Sequence, residues 1–573
     1  MKRPWIVATP TPESISRLVS ATGVDRVTAA VLVNRHLGDP DAAAEFLNPT
    51  FGSLLPPDAV KDLQEAANRL ADAIEDRETI LVFGDYDVDG ITATVLLVDF
   101  IRQSGGIVDY YIPHRMSEGY GFQPDHIDRV ILPSQATVVV TVDCGITSFD
   151  AVQQAANRGI DVIITDHHTP SDHIPEALAV VNPKQADCDA CLDHLSGVGM
   201  AFYLLMLLRK CLRDRRYWQH RAEPNLKRFC DLVALGTVAD MVPLLKENRA
   251  FTRAGLGVIE EGLRPGIQAL LAVSGLGSSP MQSDDIAFRL APRINAAGRM
   301  DRADIAARLL LTDNLETASA EARRLDDLNR QRQDIERRTV EAIRHALEST
   351  PGALDRSTIV MADKDWHEGV LGIVASRIVR HYGRPTILLT VNEGLSKGSA
   401  RGVCGLDLYE ALNRCRADLI SFGGHAMAAG LRLKVSDLER FHDRFDAVVA
   451  ETLTTLPVVD PLLIDAEIDL TRIDPRMMDN FERLKPFGQG NPEPVLMSRD
   501  LLADNCRVIG DRHRKFVLVQ SARGRTVRMP AIEFNSRLEE TLPRRLSRAA
   551  FHLKWNTWNG TRSLQAVICG FDA

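Results

Sequence analysis

The chain has 573 residues, 45% hydrophobic and 25% charged, with a net charge of −9. That length exceeds one ordinary domain and predicts three or four, and the composition excludes a disordered or fibrous chain. Nine scattered cysteines exclude a disulfide framework, and the apolar runs, such as FYLLMLL at 202–208, are too short to span a membrane.

The opening MKRPWIVATP lacks the apolar core of a signal peptide, so a cytoplasmic protein without membrane attachment is expected. Residues 1–55 read as a mixed helical segment that breaks at TFGSLLPP (50–57). Next comes TILVFGDYDVDG (79–90), a strand-like apolar run that ends in Asp85, Asp87 and Asp89 and is closed by Gly90. Two like charges ~4 Å apart repel by roughly 4 kcal/mol at an effective dielectric near 20, so this cluster asks for cations or basic partners. Oxygen ligands at a strand tip suit hard divalent ions such as Mg²⁺ or Mn²⁺. A calcium-binding EF-hand loop is excluded, because its twelfth position needs a bidentate Glu and here holds Leu96.

The same grammar recurs twice. TVVVTVDCG (137–145) ends in Asp143, and IDVIITDHH (160–168) ends in Asp166, His167 and His168. Helical patterns at 91–104 and 148–158 alternate with these runs, which predicts βαβ units and a parallel sheet. Such sheets bind ligands beyond the carboxyl ends of their strands, so the acids should converge there. Asp240, in GTVADMVPL after the helical stretch 225–236, is a fourth contributor. Cys188 and Cys191 stand near His194 without a second ligand pair, which reads as a loop with two free thiols rather than a zinc site.

Beyond the sheet, LAPRINAAGRM (290–300) sets Arg293, Asn295 and Arg299 among small residues. Residues 301–349 carry apolar positions at helical spacing amid dense charge, which predicts one long solvated helix or a pair. Strand signals return at 357–362 and 384–390 around the helical stretch 369–381, as in a second, smaller α/β lobe. That lobe holds SKGSARG (396–402), with Arg401, and SFGGHAMAAG (421–430). The latter reads as Gly423, Gly424 and His425 ahead of a helix start whose N–H groups could cradle phosphate.

After a break at 456–463, alternating strands with few helical patterns fit a small β-barrel of the OB type. Residues 495–573 hold 14 Lys/Arg against 7 Asp/Glu, a net +7 that leaves −16 on the rest. A basic module beside an acidic metal site suits a polyanion. Phe516, Phe534, Trp555 and Trp558 are candidates for stacking on bases. The expected divisions are a helical segment 1–55, a parallel-sheet α/β lobe 56–300, a connecting helix 301–352, a smaller α/β lobe 353–455 and an all-β barrel 456–573.

These motifs, in this order, resemble the DHH phosphoesterase superfamily, and within it the single-stranded-DNA exonucleases that carry a DHHA1 domain. The naming triplet is Asp166-His167-His168, and GGHAMAAG matches the glycine–histidine motif of DHHA1. The resemblance implies hydrolysis of single-stranded DNA from a 5′ end to mononucleotides, in recombinational and mismatch repair, with two Mn²⁺ or Mg²⁺ ions. It also implies a monomer that works with single-strand-binding protein and a RecQ-type helicase. Asp87, Asp89, Asp143, His167 and Asp240 are then the expected ligands, Asp143 the bridge, with Asp85 a further ligand at a position where some relatives have histidine. His168 is expected on the scissile phosphate or as an acid, and Asp166 as a ligand or as the orienter of a histidine. His425 with Gly423 and Gly424 is expected to grip a phosphate near the 5′ end, and Arg293, Asn295, Arg299 and Arg401 to meet the DNA backbone. The rival readings are an oligoribonuclease or nucleotide phosphatase of the same superfamily, a related pyrophosphatase, and a non-catalytic DNA-binding relative of the Cdc45 type.

Overall fold

In a computed structural model, residues 3–277, 280–453, 461–510, 512–522, 524–536, 541–558 and 561–573 are described. The chain forms two compact units, one of residues 55–240 and 254–458, the other of 1–54, 241–253 and 459–573.

The first unit begins with a five-stranded, wholly parallel sheet. Its strands are β1 (Thr79–Gly84), β2 (Ile107–Tyr111), β3 (Val138–Val142), β4 (Asp161–Thr165) and β5 (Ala179–Val181), in the order β2-β1-β3-β4-β5. Strands buried on both faces need apolar side chains at every position rather than at alternate ones. Thus Leu81, Phe83, Val139, Val162 and Ile164 serve one core, while Ile80, Val82, Val140 and Ile163 are buried on the opposite face. On that face α1 (Val88–Gln103) packs against α2 (Gly197–Asp214) and α3 (Cys230–Ala239). The strand order reverses between β1 and β3, a topological switch point where the chain leaves a crevice.

Helix α4 (Ala291–Met300) leads to the 35-residue α5 (Leu315–Ser349), a single helix capped by Asn314. Ala318, Ala322, Leu325, Ile343 and Leu347 form its buried stripe. The smaller lobe has β6 (Ile359–Asp363), α6 (Glu368–Tyr382), β7 (Thr386–Asn392), β8 (Leu395–Arg401), β9 (Ser421–His425) and β10 (Ala428–Lys434). Its sheet order is β9-β10-β8-β7-β6, and only β6 and β7 run parallel.

The segment 421–430 departs from expectation. It is a tight antiparallel hairpin, Gly423 opposite Gly430 and His425 opposite Ala428, and no helix starts there. Glycine next to small residues marks a helix start and a close strand crossing equally well, and here pairing with β8 decides between them.

In the second unit, β11 (Leu496–Ile509), β12 (His513–Ala522), β13 (Arg525–Glu533), β14 (Arg545–Trp558) and β15 (Thr561–Asp572) run in the order β11-β12-β13-β15-β14, and β14 pairs back onto β11. This is a closed five-stranded barrel with OB connectivity. Helices Pro12–Thr22, Arg26–Asn34 and Pro40–Leu47 share its core: Leu18, Val31 and Leu47 cluster with Phe481, Phe516 and Phe551. Arg249 is buried in this unit, and among the described residues no carboxylate pairs with it. Its guanidinium instead donates to the carbonyls of Phe46 (2.7 Å), Leu484 (2.9 Å) and Arg483 (2.9 Å). The same group lies 3.8 Å over the Phe46 ring.

Candidate active site

The site forms where β1, β3 and β4 end. Asp87 caps α1, its Oδ1 accepting from the Asp89 N–H (2.9 Å) and the Gly90 N–H (3.1 Å). Asp89, in the first turn of α1, accepts from the Gly197 N–H (2.6 Å) and the Val198 N–H (2.9 Å) at the start of α2. Asp143 follows β3 with φ 60°, a left-handed backbone tolerated by a short polar residue. Two glycines let these carboxylates in: a Cβ on Gly197 would lie 2.6 Å from Asp143 Oδ1, and one on Gly236 would lie 2.6 Å from Asp89 Oδ1. Asp240 is the residue at which α3 ends.

His167 holds the clearest clue to what fills the site. Its Nδ1 lies 3.1 Å from the Leu195 carbonyl, which can only accept, so Nδ1 carries the proton. Burial lowers the ring's pKa to about 3, so the ring is neutral and Nε2 is a bare lone pair. That lone pair faces Asp143 Oδ1 at 3.1 Å, Asp240 Oδ2 at 3.7 Å and Asp89 Oδ2 at 3.9 Å. His167 Nε2, Asp143 Oδ1 and Asp85 Oδ1 are all buried with no hydrogen-bond partner. Acceptors facing acceptors in a dry pocket are costly unless a cation lies between them.

The ionisation of the acids agrees with that picture. Burial first, and neighbouring carboxylates second, push Asp85, Asp89 and Asp143 well above the usual carboxylate range. The same causes raise Asp240 to about 7. Three ligand groups, Asp85–Asp87–Asp143, Asp89–His167–Asp240 and Asp143–His167–His168, each have donor atoms within 4.8 Å of one another. Asp143 and His167 each belong to two of them. A set of carboxylates with one neutral imidazole fits Mg²⁺ or Mn²⁺.

Asp166 is placed differently. It accepts from the N–H groups of His167 (2.7 Å), His168 (3.0 Å) and Ile146 (3.0 Å), and from His168 Nδ1 (2.8 Å). Through Oδ1, Asp166 holds the orientation of the His168 ring. Burial opposes charge on His168, but the Asp166 hydrogen bond and charge outweigh it and raise the imidazole to about 9. In the metal-free site, Asp166 thus favours the charged form of His168.

The other expected contacts divide. Arg299 donates to the Gly369 carbonyl (3.1 Å); burial, then Arg115, Arg332 and Arg401, lower it to about 9. Burial and Arg115 lower Arg401 too. Arg115, Arg299 and Arg401 thus form a cationic group, in which Arg115 is near enough to act on Asp85 and Arg299 near enough to feel Asp87. Arg293 is instead engaged by Asp326 at 2.9 Å, and Asn295 is half-buried. Gly423, Gly424 and His425 are exposed on the hairpin. In the barrel, Phe516 is core at 1% exposure, whereas Phe534 is exposed by 52%. The Trp555 face is covered by Arg562 at 4.2 Å, and the Trp558 side chain lies outside the described residues.

Arg115 and Lys184 escape sequence reasoning. Lys184 stands near enough to lower both His167 and Asp240. A signal did exist, since each lies in a loop following a strand of the parallel sheet: Arg115 after β2 and Lys184 after β5.

Comparison with known proteins agrees with this geometry. Family models match residues 79–237 (DHH family, N-terminal domain), 355–451 (DHHA1 domain) and 464–570 (RecJ OB domain). The single-stranded-DNA-specific exonuclease RecJ of Salmonella typhimurium is 38% identical over 546 residues, 92% of this chain and 93% of that protein. Crystal structures of RecJ from Thermus thermophilus cover 100% of this chain. The Mn²⁺ complex has a TM-score of 0.82 at 30% identity and is matched over 79% of its own chain. The Mg²⁺ complex has 0.77 at 29% and is matched over 78%.

Proposed function

The chain belongs to the RecJ family of single-stranded-DNA-specific exonucleases, and from that premise we propose that it removes mononucleotides one at a time from the 5′ end. It is a metal-dependent phosphodiesterase of single-stranded DNA, and its cofactors are divalent ions, Mn²⁺ or Mg²⁺. The observation that carries the chemistry is the set of unpartnered acceptors, His167 Nε2 with the oxygens of Asp143 and Asp85.

Asp85, Asp87, Asp89, Asp143, His167 and Asp240 would hold the ions. Bound there, they would supply activation of a water and stabilisation of charge on the displaced oxygen. Asp166 fixes the His168 ring through Nδ1, leaving the other nitrogen of a charged imidazole to donate to the scissile phosphate. Arg299, Arg401 and Arg115 meet phosphate, for which an arginine fork is well shaped. Their mutual repulsion is relieved when an anion enters. His425, with Gly423 and Gly424, remains a candidate for a flanking phosphate, now as the end of a strand hairpin. The barrel contributes Phe534 as a stacking surface. The resemblance extends the proposal to a cytoplasmic repair role, with strands supplied by a RecQ-type helicase and single-strand-binding protein.

The test is digestion of end-labelled single strands blocked at one end or the other, with and without Mn²⁺. Protection by a 5′ block alone is expected. Protection by a 3′ block alone would reverse the polarity, and faster turnover of dinucleotides than of long strands would favour the oligoribonuclease reading.

A further inference from the structure

The connection that leaves β2 crosses the site. It carries Arg115 and Tyr120 over residues 112–121, with little regular structure of its own. Loops of this length move unless they are tied down, yet the Tyr120 hydroxyl meets two groups of the site. It donates to the Asp143 carbonyl at 3.2 Å and lies 3.3 Å from His168 Nδ1, the nitrogen held by Asp166 at 2.8 Å. The Tyr120 ring stands edge-on to His168 at 5.8 Å and to Tyr86 at 6.4 Å. Its hydroxyl is therefore spent inside the site while the residue as a whole is 41% exposed.

The loop is tied down by a polar triad around the buried His126. Glu118 Oε2 accepts from the Tyr111 hydroxyl (2.8 Å) and from His126 Nε2 (3.1 Å). The Gln123 N–H donates to His126 Nδ1 at 3.0 Å, which leaves Nε2 as the protonated nitrogen and fixes the direction of its bond to Glu118. His126 has no exposed surface and lies against Phe83 of β1 at 5.0 Å and parallel to Phe122 at 6.4 Å. The Gln123 side chain donates to the Tyr120 carbonyl at 3.0 Å, so the triad and the tyrosine share one short stretch of backbone.

We propose that Tyr120 is a positioning residue that sets the His168 ring for phosphate contact, and that the Glu118–Tyr111–His126 triad holds it there. The inference rests on the role given to His168 above. A packing role for Tyr120 would need only its ring, which phenylalanine retains. A positioning role needs the hydroxyl.

Tyr120→Phe, His168→Ala and the double variant are to be compared with the parent enzyme by single-strand turnover and by Mn²⁺ titration. Tyr120→Phe should lower kcat about tenfold, the scale of one lost hydrogen bond, with KM and Mn²⁺ affinity within about twofold. The double variant should be no slower than His168→Ala, because the hydroxyl acts through that ring. Glu118→Gln, isosteric and able to fold, should lower kcat alone and should not add fully to Tyr120→Phe. Parental kcat in Tyr120→Phe beside an inactive His168→Ala overturns the proposal alone, as do effects that multiply in the double variant. Parental kcat in His168→Ala removes the role of His168 and the proposal with it.

Discussion

Asp143→Asn separates the electrostatic cost of the site from its function. The substitution keeps the shape of the side chain and suits the left-handed backbone at this position. Without metal, and at alkaline pH where the raised Asp143 carboxyl is ionised, its Oδ1 is buried, unpartnered and 3.1 Å from the bare Nε2 of His167. An asparagine amide can donate across that gap, replacing a repulsive contact with a hydrogen bond. An unsatisfied buried polar atom costs about 1–3 kcal/mol, so metal-free Asp143→Asn should be more stable than the parent by about 2 kcal/mol. At about 2.1 cal/mol/K of unfolding entropy per residue, a unit of about 390 residues shifts by roughly 1 °C per kcal/mol, so that is a rise of about 2–3 °C. Mn²⁺ should reverse the order. At a hundredfold excess over Kd an ion stabilises the parent by about 2.7 kcal/mol, and the variant should gain little and turn over at least ~10³-fold more slowly. Differential scanning fluorimetry in EDTA and in Mn²⁺, beside single-strand digestion, reads all three. A variant less stable than the parent in EDTA, or equally stabilised by Mn²⁺, would refute the argument that the facing acceptors await a cation.

Three further expectations follow from the same contacts. Asp240, at about 7 in the fold, is protonated where an unfolded aspartate, near 3.9, is already ionised. Its contribution to metal-free stability is therefore full below ~4 and lost as pH rises through ~7. In EDTA, the parent should lose stability relative to Asp240→Asn between pH 5 and pH 8, and parallel melting curves would contradict this. Phe534→Ala should weaken binding of long single strands by about 1–3 kcal/mol in a fluorescence titration, with kcat on short oligonucleotides unchanged. Arg249→Met leaves the carbonyls of Phe46, Leu484 and Arg483 without their donor. It should destabilise the second unit by at least ~3 kcal/mol in urea melts, because hydrogen bonds to charged groups contribute about 1.5–3 kcal/mol each.

Much of the site was legible because a parallel sheet writes a distinctive pattern. Strands covered on both faces leave unbroken apolar runs such as TVVVTV, so an acid at the end of a run marks the carboxyl edge. Convergence of Asp87, Asp89, Asp143 and His167 follows from that geometry, whereas Asp240 joins them from the end of α3, which packs on α1. The division between Asp166 and His167 was not legible, since it depends on three backbone N–H groups that only the folded loop aims at Asp166. Phe516 and Phe534 look alike in sequence, yet one points into the barrel and the other extends past the end of β13. The union of 1–54 with 459–573 in one unit leaves no trace in local pattern. Leu18 and Phe551 are each ordinary apolar residues until they meet in one core.

The bare Cα atoms of Gly197 and Gly236, which the carboxylates of Asp143 and Asp89 approach so closely, set how near α2 and α3 bring their backbone to the acids. A methyl group added at either glycine would meet a carboxylate oxygen at 2.6 Å. The spacing of the acids is therefore a property of two helices far along the chain, and not of the aspartates alone.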